Sequence, residues 1–162
     1  TNSAAGAIPR MIDMGVEPFL LVSTIKVIIG QRLVRTLAKE KEEYKPTKDE
    51  LKLLATHIDM DRMLAFLKAE KIIAEKADWS DVPFYRPKGG ADSDDGYKGR
   101  LGIHEVMRMT PTIKDLIIKG ATGDAIEAQA KSEGMMTMLE DGIFKAAQGT
   151  TTLEEVLRVV SE

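Results

Sequence analysis

The amino-acid sequence predicts a mainly α-helical fold with a small antiparallel β-sheet. Three observations carry this. Helix-start signals recur along the chain: Thr-x-x-Glu boxes at Thr47/Glu50, Thr137/Glu140 and Thr152/Glu155, a Thr110-Pro111 start, and Thr122 ahead of an Ala-rich run. Two distant stretches, 29–37 and 97–107, read as strands expected to pair with each other. The 162 residues are 43% apolar and 30% charged, with a net charge of −3, which is the balance of a water-facing globular chain with enough length for one core or two small ones.

Taken in order, residues 3 to 14 predict a helix, with Ser3 as cap, Pro9 in its first turns and Gly15 as stop. Phe19 to Leu37 is rich in β-branched residues and fits a helix followed by a strand, with Gly30 as the joint. "AKEKEEYKP" reads as a charged linker ending at proline. The Thr47 box opens a helix carrying Leu51, Leu53, Leu54 and Ile58, and a second helix carries Met60, Met63, Leu64 and Leu67. Trp79, Phe84 and Tyr85 cluster in a chain only 5% aromatic, and are expected to seal a local core. After a Gly/Asp-rich turn comes the second strand, then four short capped helices to the end of the chain.

The chemistry that composition excludes is broad. There is no cysteine, so no disulfide, thiolate nucleophile or thiolate metal site can form. The net charge argues against a nucleic-acid surface. The longest apolar run, "PFLLVSTIKVIIG", is too short to span a bilayer, and no signal peptide is visible. The chain opens on Thr1 rather than Met, which suggests a piece of a longer protein.

Several motifs suggest chemistry but have plainer uses. A calcium loop starting at Asp92 would put Gly96 at position five and Ile103 at position twelve, so the ligand pattern fails. No "GxxxxGK[ST]" exists, and the glycine turn leads into a strand rather than a helix N-terminus. Asp92, Asp94 and Asp95 fit a solvated turn. His57 and Asp61 would share a helical face, yet two ligands rarely hold a metal. His104 beside Glu105 offers a base with a carboxylate, but no nucleophile signature accompanies it. Met135, Met136 and Met138 suit core filling better than an adaptable groove. By chemistry alone the chain shows no catalytic constellation and no cofactor or metal site.

Two stretches resemble one family. "TNSAAGAIPRMIDMGVEPFLLVSTIKVIIGQRLVRTL" looks like the segment following the catalytic core strands of the secretion ATPases, the hexameric motors of type II secretion and type IV pilus assembly. "GYKGRLGIHEVMRMTPTIKDLI" resembles a later strand of that family, and "GMMTMLEDGIFKAAQGTTTLEEVLRVV" its terminal helices. The matching motif residues are Thr1, Asn2, Gln31, Arg32, Arg35, Gly99, Arg100 and Gly102. The resemblance implies three segments: 1–37 as the end of a RecA-like ATPase core, 38–96 as a helical insert, and 97–162 as a strand with a helical bundle. It further implies a parent that binds ATP and magnesium, assembles as a homohexameric ring, and works at the cytoplasmic face of the inner membrane against a platform protein, peripherally and without nucleic acid. The piece in hand carries no phosphate-loop lysine, no Walker B acid and no base, so it is not expected to hydrolyse ATP.

One departure stands out. In this family two Cys-x-x-Cys pairs bind a structural zinc. Here the first pair falls on Ala38 and Lys41 and the second on Gly90 and Ser93. The resemblance therefore implies an emptied zinc knuckle, and the insert is expected to fold on apolar burial without metal. Two readings from other classes complete the expectations. One is a self-contained helical module with an exposed apolar patch on its terminal helices. The other is a small hydrolase using His104 and Glu105.

Overall fold

The computed structural model describes residues 3–162. The motif residues Thr1 and Asn2 lie outside the described residues. In chain order the elements are α1 (Ala7–Asp13), α2 (Pro18–Thr24), β1 (Val27–Leu37), β2 (Lys41–Tyr44), α3 (Lys48–Ala55), α4 (Met60–Ala69), a 3₁₀ turn (Trp79–Asp81), β3 (Phe84–Pro87), β4 (Tyr97–Arg108), α5 (Pro111–Ile118), α6 (Gly123–Ser132), α7 (Met138–Ala147) and α8 (Leu153–Ser161). The mainly helical α+β class follows, and the two predicted strands do pair, as the ribbon β1–β4.

The ribbon is antiparallel. The Met109 N–H donates to the Lys26 carbonyl at 3.0 Å, and the Ala38 N–H donates to the Gly96 carbonyl at 2.9 Å. Between these bonds β1 advances from 26 to 38 while β4 runs back from 109 to 96, one position further. Gly99, at φ +87°, is a left-handed residue within β4, a conformation that favours glycine.

Two expectations needed correction here. Gly30 is not a joint: α2 ends at Thr24, the chain turns at Ile25 and Lys26, and Gly30 lies inside β1. Its missing side chain serves packing, since a Cβ there would come within 3.2 Å of Met138 Cε and 3.6 Å of the Ala4 nitrogen. Nor is "AKEKEEYKP" wholly linker. Residues 41–44 form β2, which pairs antiparallel with β3 in the register Lys41↔Pro87 to Tyr44↔Phe84. A run of charges has no apolar alternation to betray a strand; cross-strand pairing supplies the order, with Tyr44 and Phe84 rings 6.3 Å apart.

The chain divides into two compact units, each built from two separate stretches. The first combines the residues up to Arg32 with His104–Met138, and the second combines Leu33–Ile103 with Leu139–Glu162. The core of the first unit is Ala4, Ile8, Leu21, Met107, Ile113 and Ile126 with their neighbours, so α1, α2, α5 and α6 close around the end of β4. Thr110 and Thr122 cap as predicted, accepting from the Ile113 and Ala125 amides, whereas Ser3 accepts from the Gly6 amide in the turn ahead of α1, whose own N-cap is Gly6 with no side-chain bond.

In the second unit Leu54, Met63, Leu67, Val82, Phe84, Ile103, Ile143 and Val156 are buried. Trp79 is buried too, and its indole N–H donates to the Met60 carbonyl at 3.1 Å. The predicted Thr47/Glu50 box is complete. Phe66 of α4 meets Phe144 of α7 edge to face at 5.3 Å. Gly142 lets α7 and α8 touch, because any side chain there would run into the Val156 methyls. Met135 and Met138 are buried, in keeping with core filling.

Candidate functional site

The motif residues Arg35, Gly99, Arg100 and Gly102 fall in the second unit, where Arg35 has the densest set of partners. It sits on β1, where alternate residues face solvent. Its guanidinium lies over the Tyr97 ring at 4.1 Å and bonds Glu155 at 3.0 Å, with Asp95 at 3.6 Å. Glu155 is only 1% exposed. One of its oxygens accepts from the Arg35 backbone N–H at 3.0 Å, and Arg158 reaches both oxygens, at 2.8 and 3.3 Å. Burial alone would raise this carboxyl. The side-chain bonds from Arg158 and Arg35, with the Arg35 amide, outweigh it and hold the group down at about 2. The same bond to Glu155 raises Arg35.

This arrangement explains why Thr152 and Glu155 are only half of the predicted box. Thr152 does accept from the Glu155 amide at 3.1 Å, but the Glu155 carboxylate turns to the two arginines. The Thr151 hydroxyl donates to the Arg35 carbonyl at 2.7 Å, and the Tyr97 and Thr152 hydroxyls are 3.0 Å apart. Arg35 is thus held within its own unit. The other motif residues have distinct uses. The Gly102 carbonyl accepts from Lys145 at 2.8 Å, which in turn bonds Asp141 at 2.6 Å. Gly99 faces the Thr36 hydroxyl across the ribbon, and Arg100 is solvent-exposed.

The motif residues Gln31 and Arg32 lie in the first unit beside a cavity of about 220 Å³ lined also by Ser3, Ala4, Gly30 and Met138. Near Gly30 is a second buried carboxylate, Glu105, 3% exposed. It accepts from the Ala4 amide at 2.7 Å and the Met138 amide at 3.2 Å. This removes the hydrolase reading: the carboxylate that His104 would need is buried and engaged by two backbone amides rather than open in a cleft. His57 and Asp61 share no helix, because α3 ends at Ala55 and α4 begins at Met60. Asp59 is the working residue there, capping α4 by accepting from the Arg62 amide at 3.1 Å.

The implied zinc does not fit the residues present. Ala38 is a buried methyl group, Lys41 a cation, Gly90 has no side chain, and the Ser93 hydroxyl is taken by the Asp95 carboxylate and the Tyr97 carbonyl, each at 2.7 Å. None of the four is the thiolate or imidazole that zinc selects. Among the described residues no three His, Asp or Glu side chains converge as a metal site.

Comparison with known proteins bears on the whole chain. Residues 1–158 match the family described as type II/IV secretion system protein. The chain belongs to this family. Its relatives include the type II secretion system protein E of Xanthomonas campestris pv. campestris, 39% identical over 163 residues that cover all of this chain and 26% of the relative. The type II secretion system ATPase E of Vibrio cholerae is 36% identical, covering all of this chain and 28% of the relative. The type IV pilus assembly ATPase PilB of Myxococcus xanthus is 33% identical, covering 97% of this chain and 25% of the relative. The chain thus spans about a quarter of the length of these secretion-family relatives. No helix among the described residues is long and apolar enough to cross a membrane.

Proposed function

We propose that this chain is the C-terminal part of a hexameric motor ATPase that powers type IV pilus assembly or type II secretion. The observation that carries the reading is the family match across residues 1–158, with relatives in both systems. Within that motor the segment transmits work rather than hydrolysing nucleotide. It holds no phosphate loop, so ATP and magnesium belong to the rest of the parent. The parent acts at the cytoplasmic face of the inner membrane, in a homohexameric ring that engages a platform protein peripherally. Arg32 and Arg35 are the candidates for bracing subunit contacts in that ring, and Arg35 is also bonded to Glu155 inside its own fold.

A phosphate-release assay tests this. The longer parent should hydrolyse ATP with magnesium, and this chain alone should not. Turnover by the chain alone, or none by the parent, rejects the reading. The alternative, a stand-alone helical module docking the platform protein, calls for an open apolar face on the terminal helices. The most exposed large apolar side chains instead include Phe19, Leu20, Val27 and Ile29, with none on α7 or α8.

A further inference from the structure

The two segments where the family places its zinc thiolates, 38–41 and 90–93, lie side by side in this chain although none of the four residues can bind the metal. The Ala38 N–H donates to Gly96, the Lys88 N–H donates to the Glu40 carbonyl at 3.3 Å, and Gly90 bridges Ser93. A Cβ on Gly90 would overlap the Glu40 carboxylate, so the two limbs of the insert lie against each other at this point.

We propose that the Lys41 ammonium closes the insert in place of a metal ion, joining the β2–β3 hairpin to the turn after α7. Lys41 begins β2. Its Nζ donates to the Gly149 carbonyl at 2.7 Å and lies 5.2 Å from the centre of the Tyr85 ring on β3. From β2, one positive charge therefore reaches two further segments, β3 and the turn after α7. Gly149 is fitted to this role. At φ +81° it adopts a left-handed conformation, and a side chain there would press on Lys41 Nζ at 3.0 Å and on Tyr85 Cε2 at 3.2 Å. The rest of the corner is closed by hydrogen bonds within the chain: Asp95 accepts from the Tyr97 amide at 3.0 Å and from Ser93. Such a clasp has no thiol to oxidise and no ion to lose.

The test is amide hydrogen exchange of residues 41–44 and 84–86 in this chain. Wild-type protection should be the same with and without a chelator, and faster exchange with chelator overturns the proposal. Lys41→Met keeps the length and removes the charge; exchange in the hairpin should accelerate about tenfold, the loss of one charge-assisted bond. Unchanged protection in that variant also overturns it. A second variant, Ala38→Cys, Lys41→Cys, Gly90→Cys and Ser93→Cys together, keeps the question open to test if Lys41→Met fails to fold. It should bind one cobalt ion with the absorption of a tetrahedral thiolate site and regain hairpin protection with zinc. Failure to bind shows that the four positions do not converge, and the proposal falls.

Discussion

In each compact unit a buried glutamate ties separate stretches of chain together, and Glu105 and Glu155 do so in opposite ways. Glu105 in the first unit accepts two neutral backbone amides, Ala4 and Met138. Glu155 in the second accepts two guanidinium groups as well as one amide. The first satisfies two buried backbone amides from distant stretches of chain; the second pins charged side chains whose outer ends reach solvent. Their removal should therefore differ in kind. Losing Glu105 strands buried donors that water cannot easily reach. Losing Glu155 frees arginines that can rehydrate, leaving chiefly the Arg35 amide uncompensated.

The largest effect should come from Glu105→Ala. Two stranded amides at about 2 kcal/mol each give a destabilisation of about 4 kcal/mol, read by urea unfolding, with faster amide exchange in α6. A loss below about 1 kcal/mol would mean that water replaces the carboxylate and the contrast is wrong. Next is acid. The Glu155 carboxyl is depressed in the folded chain, so its contribution is complete above its ordinary value of 4.5 and is lost as pH falls toward about 2. That span corresponds to about 3 kcal/mol. Glu155→Gln should remove about the same at neutral pH and flatten this part of the acid limb; an unchanged limb assigns the acid sensitivity elsewhere.

Smaller effects sharpen the picture of the second unit. Gly142→Ala should destabilise by about 2 kcal/mol because its methyl group overpacks Val156, despite the better helix propensity of Ala. A stabilised variant would show that the α7–α8 contact yields easily. Lys71 has the opposite character. It follows α4 at φ 59°, a left-handed position where its Ile72 neighbour donates back to Leu67 at 2.9 Å. Lys71→Gly should raise stability by about 0.5 kcal/mol, the relief of a strained side-chain-bearing residue less the added freedom of the unfolded chain.

Much of the fold was legible because its signals are local. A Thr hydroxyl three residues ahead of an amide caps a helix wherever the chain goes, and Thr47, Thr110, Thr122 and Thr152 all do so. The β1–β4 pair could be read from alternation. β2 could not, since four charged or half-buried residues carry no period until β3 lies beside them. Gly30 reads as a joint for a related reason: a glycine in a strand looks like a break until the atoms crowding it are known. Among the site residues, Arg35 was found by motif, but its partner Glu155 was visible only as a cap, and Lys41 only as a departure from the zinc pattern.

Residue order alone therefore settled where the helices start, which two strands meet, and the family to which the chain belongs. Folding assigned the work done by Glu105, Glu155 and Lys41. Their decisive bonds span 101, 120 and 108 residues of chain. A contact over such distances leaves no periodicity or spacing in the sequence, because it forms only when the core of its own unit has brought both ends together.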